Sequence, residues 1–402
     1  MDRRQPVAVP PAYRGREQTL VKHILLRDYL KRVAWNILSF KSDFVFVDGF
    51  SGPWKHTSDD YSDTSFGIAI EELREVKAGF AQKGVRKSLR CVFVEKRTAA
   101  FQKLSQAAAH ASDLKANALS GTFEDRVEDV LKIVGSGFAL TFVDPTGWSF
   151  DLKKLAPLLK HQPGEVLVNF MYEHFKRFID DKRPEIIRSQ TLPFGDPNWR
   201  VDYDALIASG SSKEQAVLEV FKRKLREVCG FTYVASARVQ NRTASKTHFH
   251  LVYGTRSVKG LIEFRKVEKD AMWAQEGCRI QAKETDRQEN SLQPGLFSGL
   301  QLAEFMADPD PRAEDRARAR EWVLSEVLRG PIPYEDLLPE ILQTYSITEP
   351  ELKDLLVALR VEGLVEFRGM LPSKRKPHAG VFIASTTTVR AETHAGSASI
   401  SR

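Results

Sequence analysis

Cysteine is scarce in this chain of 402 residues, which has three. Cys91, Cys229 and Cys278 lie far apart, with no Cys-x-x-Cys pair and no histidine at ligand spacing, which excludes a disulfide framework and offers no zinc site. Reduced, structural thiols are expected. Also missing is any apolar run near the ~20 residues of a membrane span, and residues 1–11 are polar and proline-rich without the apolar core of a signal peptide. The expectation is a cytoplasmic protein without membrane contact. Strong charge bias is absent too: 60 Lys and Arg against 53 Asp and Glu leave +7, a mild lean toward a polyanionic partner. What remains is an ordinary globular composition, 42% hydrophobic, long enough for one large α/β domain and a smaller module.

The chain is organised around Phe44-Val-Phe-Val-Asp48, an apolar run that ends in Asp48 and Gly49 and is followed by Gly52 and Pro53. A short apolar run without period-two alternation suits a central parallel strand covered on both faces. Open α/β sheets bind ligands just beyond the carboxyl ends of such strands, and glycine there lets backbone N–H groups approach a ligand. Residues 48–54 are therefore the first candidate pocket. Taken alone, Asp48-Gly49 is only a strand-ending turn; two further strands with acidic carboxyl ends, in order along the chain, give it weight.

Residues 19–38 read as an amphipathic helix, with Val21, Leu25, Tyr29, Val33 and Ile37 at near-helical spacing. After the glycine turn, Ser65 is a suitable N-cap for a helix running to about Ala78 or a little beyond. Apolar strands then recur at 90–95, ending in Glu95, at 116–119, leading into Glu124 and Asp125, at 138–144, ending in Asp144-Pro145, and at 165–170. Helices at 98–110 and 152–159 separate them. Strands alternating with helices imply βαβ units and a mostly parallel sheet. Residues 171–228 read as a helical, charged insertion broken by a loop at 194–199, and strands at 231–239 and 247–254 as a hairpin, one strand of which closes the sheet antiparallel.

The expected domains are an arm (1–18), an α/β domain (19–275), a polar connector (276–312) with an apolar patch at 296–305 and the proline-rich stretch 308–311, a module (313–384) and a disordered tail (385–402). The module has three helices followed by a β-hairpin, which is winged-helix order, with Lys374-Arg-Lys376 in its loop. Basic residues Arg238, Arg242, Lys246, Arg256 and Lys259, with Tyr253 and Phe264 interleaved, suit phosphate contacts and base stacking, or equally a solvated hairpin face. His248 and His250 share a strand face, but no third ligand stands at useful spacing, so no metal is expected.

In a parallel sheet, Asp48, Glu95, Glu124 or Asp125, and Asp144 converge on one edge. These elements together resemble the class I S-adenosylmethionine-dependent methyltransferases, and among them the three-Cys-motif partner proteins. The likeness rests on Lys22-His-Ile-Leu-Leu-Arg-Asp-Tyr29, Phe46-Val-Asp-Gly-Phe-Ser-Gly-Pro53, Phe93-Val-Glu95, Phe142-Val-Asp-Pro-Thr-Gly147 and Tyr253-Gly-Thr-Arg-Ser-Val-Lys-Gly260, and spans most of the chain. It implies a Rossmann-like α/β fold with a C-terminal winged helix, S-adenosylmethionine as cofactor, and a partner protein bearing a three-cysteine, iron–sulfur-like motif.

By the same resemblance, Asp48, Gly49, Phe50, Ser51 and Gly52 would hold the methionine end of the cofactor, Glu95 the ribose, and Glu124 or Asp125 the adenine amine; Lys22, otherwise a solvated or cap-like helix residue, is a further cofactor-site candidate. Asp144 and Pro145 would face the transferred methyl. Base amino-methyltransferases carry Asp-Pro-Pro-aromatic at this point, whereas this chain has Asp144-Pro-Thr-Gly-Trp148, in which Trp148, displaced by one position, would replace the aromatic that stacks on the base. The expected activity is methylation of an acceptor nitrogen in nucleic acid or a nucleotide-like molecule; the alternative is a methyltransferase-like scaffold that supports a partner enzyme without turnover.

Overall fold

In a computed structural model of the chain, the described residues are 9–52, 61–290, 310–371 and 373–386. Pro53 and Trp54 of the glycine turn, the apolar patch at 296–305, Asp308 and Pro309, and the tail beyond 386 lie outside them. The chain packs as two compact units, Met1–Arg312 and Ala313–Arg402.

The first unit is built on seven strands among the described residues: β1 (Asp43–Asp48), β2 (Ser88–Glu95), β3 (Ala116–Ser120), β4 (Phe138–Val143), β5 (Gly164–Phe170), β6 (Tyr233–Gln240) and β7 (Thr247–Thr255). Their order is β3-β2-β1-β4-β5-β7-β6, with β1 to β5 parallel and β7 antiparallel to both its neighbours. This is a Rossmann-like sheet with one antiparallel strand. That strand does not form the edge, however. β7 is inserted between β5 and β6, and the edge strand β6 runs in the common direction. Strand order reverses between β1 and β4, the switch point at which such sheets open a crevice.

Successive side chains of a strand face opposite sides, and both sides are covered. Val45, Val47, Val92, Val94, Val166 and Val168 share one buried cluster with residues of α4 (Val127–Val134), α5 (Leu152–Leu159) and α9 (Lys213–Cys229). Phe44 and Phe46, fully buried, point the other way. Each contributes about 2 to 3 kcal/mol by leaving water. On that side α1 (Glu17–Phe40) packs against α2 (Ser65–Gln82) and α10 (Val258–Asn290). Helix α3 (Thr98–His110) follows β2. The insertion forms α6 (Tyr172–Lys176), α7 (Pro184–Thr191) and α8 (Trp199–Ala208) before α9. Phe194 stacks on Trp199 at 4.3 Å to anchor it.

Three local expectations change. The N-cap of α2 is Thr64, whose hydroxyl accepts from Gly67 N–H; Ser65 instead donates to Asp48. The arm is packed from Pro10 onward, since Tyr13 is buried and its hydroxyl bonds His23 Nδ1 at 2.9 Å. Residues 276–290, expected as connector, continue α10, because Cys278, Arg279 and Ala282 extend a buried stripe.

The second unit contains α11 (Ala313–Arg329), β8 (Ile332–Pro333), α12 (Tyr334–Thr344), α13 (Glu349–Val361), β9 (Val365–Arg368) and β10 (Phe382–Ser385). Its sheet is antiparallel in the order β8-β10-β9; the two-residue β8 carries no sequence signal of its own. Thr348 and Glu351 form a capping box that starts α13. Val323, Leu337, Ile341, Leu352, Leu356 and Ile383 make its core. Among the described residues no helix is long and apolar enough to cross a membrane.

Candidate functional site

Strands β2, β1, β4 and β5 lie side by side and parallel, so their carboxyl ends share one edge. Asp48, Glu95 and Asn169 are buried at or near those ends, and half-buried Asp144 follows β4. Asp48 Oδ1 accepts the Phe50 N–H at 3.0 Å and Oδ2 the Ser65 hydroxyl at 2.6 Å. It pins the turn after β1 to the start of α2. Burial pushes its pKa up to about 6, against the pull of those two donors; the Asp144 charge adds to the rise. Ser51 closes the same turn, its hydroxyl donating to Asp48 O and its N–H to Val94 O.

Asp144 is held from two sides. Lys22 Nζ of α1 stands 2.5 Å from Oδ2, and Asn169 Nδ2 donates to Oδ1 at 2.6 Å. Lys22, a cofactor-site candidate by the resemblance, stands on the β4 carboxylate. Asn169 Nδ2 also approaches Met171 Sδ at 3.3 Å, whereas the Asn169 Oδ1 atom is buried without a partner among the described residues. Such an atom costs roughly 1 to 3 kcal/mol unless a donor reaches it. His248, at the start of β7, is half-buried; burial holds its pKa below the ordinary value, opposed by Glu173 and reinforced by Lys22 and Arg177.

Glu95 Oε1 accepts the Arg97 N–H at 2.7 Å, and its backbone carbonyl accepts from Gly121. Glu124 Oε1 accepts the Asp151 N–H at 3.1 Å, tying the turn after β3 to the turn after β4. Asp125 is exposed. Gly49 has a reason other than ligand approach, because a Cβ there would lie 2.2 Å from the Phe123 ring. Phe123, 1% exposed, covers the glycine and meets Phe50 edge-on at 5.9 Å.

Trp148 does not present a free stacking face. Its ring packs on His174 at 4.8 Å and Phe178 at 5.1 Å, and its indole N–H donates to Ser189 at 3.0 Å, so it fastens the insertion to the turn after β4. Gly147 is needed there: it has φ +95° and passes His174 closely. Pro145 is buried.

The basic residues do not form one surface. Because β7 is antiparallel, His250 pairs with Phe170 at the carboxyl edge and Gly254 with Val166 near the opposite edge. The β6–β7 turn, with Arg242 and Lys246, therefore lies at the site edge. Arg256 and Lys259 lie roughly 30 Å away along the nine residues of β7. Arg256 donates to the carbonyls of Leu159, Gly164, Cys229 and Gly230 and covers Phe231, which makes it a structural staple. Arg242 is paired with Glu17 at 3.0 Å and Asp286 at 2.9 Å. Arg238 donates to Thr247 Oγ1, which in turn donates to Glu214; Glu214 also holds His250 Nε2 at 3.0 Å. Lys246 and Lys259 are exposed.

No family model and no curated protein matches the chain. Solved structures to which it is similar include a protein from Legionella pneumophila, with a TM-score of 0.36 and 12% identity over 60% of this chain and 86% of that one. Another is the O-methyltransferase TomG from Streptomyces achromogenes in complex with SAM, with a TM-score of 0.30 and 11% identity over 57% and 79%. A third is an O-methyltransferase from Bacillus cereus in complex with SAH, with a TM-score of 0.28 and 10% identity over 57% and 80%.

Asn169 and Phe123 are the residues at this edge that sequence reasoning did not single out. A signal for Asn169 existed, since it is the polar residue between Val168 and Phe170 at the end of an apolar strand. Phe123 had none, because a phenylalanine beside two acids reads as an ordinary turn residue. A cleft of about 580 Å³ between α2 and α3, lined by Phe66, Ile70, Arg74, Ala107 and His110, includes none of the strand-end carboxylates.

Proposed function

We propose that the chain is an S-adenosylmethionine-dependent methyltransferase acting on an acceptor nitrogen of nucleic acid or a nucleotide-like molecule. The observation that carries the reading is the convergence of Asp48, Glu95 and Asp144 on the carboxyl edge of adjacent parallel strands, at the reversal between β1 and β4, with Glu124 in the turn after β3. Open α/β sheets take their ligands there.

The donor set fits the cofactor. Glu95, a buried carboxylate, would hold ribose hydroxyls, Glu124 the adenine amine, and residues 48–52 the methionine end; the bound cofactor supplies an activated methyl group. The protein's own work is placement. Holding the acceptor in line at ~3 to 3.5 Å supplies much of the rate of a methyl transfer, and Asp144, Lys22 and Asn169 form the rigid group that would do so. Lys246, exposed on the turn at this edge, and Arg238 on β6 would meet substrate phosphate.

The same proposal includes a three-cysteine-motif partner protein and a winged-helix identity for the second unit. The order helix, strand, helix, helix, hairpin supports the latter. Helix α13 carries Glu349, Glu351 and Asp354 against Lys353 and Arg360, a balance that favours a protein partner over a DNA backbone.

Calorimetric titration with S-adenosylmethionine tests the reading. Binding is expected, and Glu95→Ala should weaken it at least tenfold, since a hydrogen bond to a charged group contributes about 1.5 to 3 kcal/mol. Unchanged affinity would remove Glu95 from the cofactor site. Two observations favour the scaffold alternative: Phe123 covers Gly49, and both Asp144 oxygens are occupied. Absence of binding by the wild-type chain would decide for the scaffold.

A further inference from the structure

Asp144 has one oxygen on Lys22 and the other on Asn169. To accept a hydrogen bond from a substrate it must give up a short contact with an ammonium or with an amide already in place. Asn169 Oδ1 is in the opposite condition: the residue is 2% exposed, the atom has no partner among the described residues, and it stands at the end of β5 beside the proposed methyl-transfer position. Its orientation is set by its own Nδ2, which can point only toward an acceptor, and Asp144 is that acceptor.

On the methyltransferase reading, we propose that Asn169 Oδ1 is the atom that receives the acceptor's N–H, and that Asp144, neutralised by Lys22, is its positioning residue. The substrate class is set by charge. A carboxylate facing an amine favours the ammonium form, which has no lone pair to react. An amide carbonyl holds an N–H without that bias, so the site suits a neutral amine or exocyclic amino group with at least one N–H. The nitrogen lone pair forms the N–C bond as the S–C bond breaks, with that bond's electron pair remaining on sulfur. The methylated nitrogen, now cationic, releases an N–H proton to water.

The test uses the full chain with methyl-labelled S-adenosylmethionine and total cellular nucleic acid as probe, and compares wild type, Asn169→Leu, Asp144→Asn and Asp144→Ala. Asn169→Leu should lower kcat about 100-fold while cofactor affinity stays within threefold; if that variant does not fold, Asn169→Ser replaces it with the same expected loss. Asp144→Asn should keep a tenth or more of the turnover, because its amide oxygen still accepts from Asn169 Nδ2, whereas Asp144→Ala should lose about 100-fold. Full turnover in Asn169→Leu overturns the proposal, as does loss of cofactor binding in that variant, which would turn Oδ1 toward the cofactor. If Asp144→Asn is as inactive as Asp144→Ala, the carboxylate itself meets the substrate and the assignment is wrong. No label from a wild type that binds the cofactor by calorimetric titration overturns this inference, whereas absence of cofactor binding overturns the methyltransferase reading on which it rests.

Discussion

Replacing Gly260 with alanine should destabilise the first unit by about 3 to 5 kcal/mol, the range expected when a close-packed interior is overfilled and buried hydrogen bonds break. Gly260 lies in the first turn of α10. A Cβ there would sit 2.4 Å from Glu165 Oε1, 2.5 Å from the Tyr253 hydroxyl and 2.9 Å from Thr255 Oγ1. These atoms belong to one buried network: Tyr29 OH lies 2.6 Å from both Glu165 Oε2 and the Tyr253 hydroxyl, and Thr255 donates to Glu165 Oε1 at 2.8 Å. Burial raises the pKa of Glu165 despite those donors and raises those of both tyrosines. None of the four residues can turn to water, so the methyl displaces the helix or breaks the bonds. Urea denaturation gives the loss directly. Because the nearest atom belongs to Glu165, Gly260→Ala with Glu165→Ala should cost less than the two single changes added. An unchanged midpoint for Gly260→Ala would mean that α10 shifts freely over the sheet.

This network shows which part of the fold was legible and which was not. Tyr29, Tyr253 and Gly260 all fall within motifs that carry the family resemblance, yet they meet near the amino end of β5, far from the carboxylates those motifs suggest. Sequence order located them; their shared purpose needed three dimensions. The parallel strands were legible because strands covered on both faces appear as continuous apolar runs. Helix α10 was not, because its buried stripe includes Arg265, Glu268, Gln275 and Arg279, which hydropathy counts as solvent-facing. Arg265 and Glu268 pair with each other in the interior.

The candidate site divides in the same way. Acidic strand ends are visible in a sequence, since a carboxylate after an apolar run is a local pattern. Partners are not local: Lys22 reaches Asp144 across 122 positions, and Arg256 spends its donors on the carbonyls of residues 26 to 97 positions away. A positive side chain looks the same in a string whether it meets phosphate or a helix end. The reading of one basic surface from Arg238 to Lys259 therefore failed where β7 carries the chain from one edge of the sheet to the other.

Asp48→Asn should change the pH dependence of stability more than its size suggests. With Asp48 buried and its pKa near 6 rather than 3.8, the folded state holds the proton more tightly than the unfolded chain. The favourable contribution of the neutral form is complete below about pH 4 and disappears as pH rises through about 6. Above that, the fold carries a buried carboxylate at a relative cost of about 3 kcal/mol, since one pKa unit corresponds to about 1.36 kcal/mol. Asparagine keeps an oxygen for the Phe50 N–H and turns its amide toward Ser65, whose hydroxyl can accept, so the local bonds survive while the titration is removed. The stability of Asp48→Asn relative to wild type should therefore rise by up to about 3 kcal/mol between pH 4 and pH 7 and level off above. Chemical denaturation at several pH values measures that difference. A difference flat across this range would mean that Asp48 titrates as an ordinary aspartate and that donors beyond Phe50 and Ser65 reach it in solution.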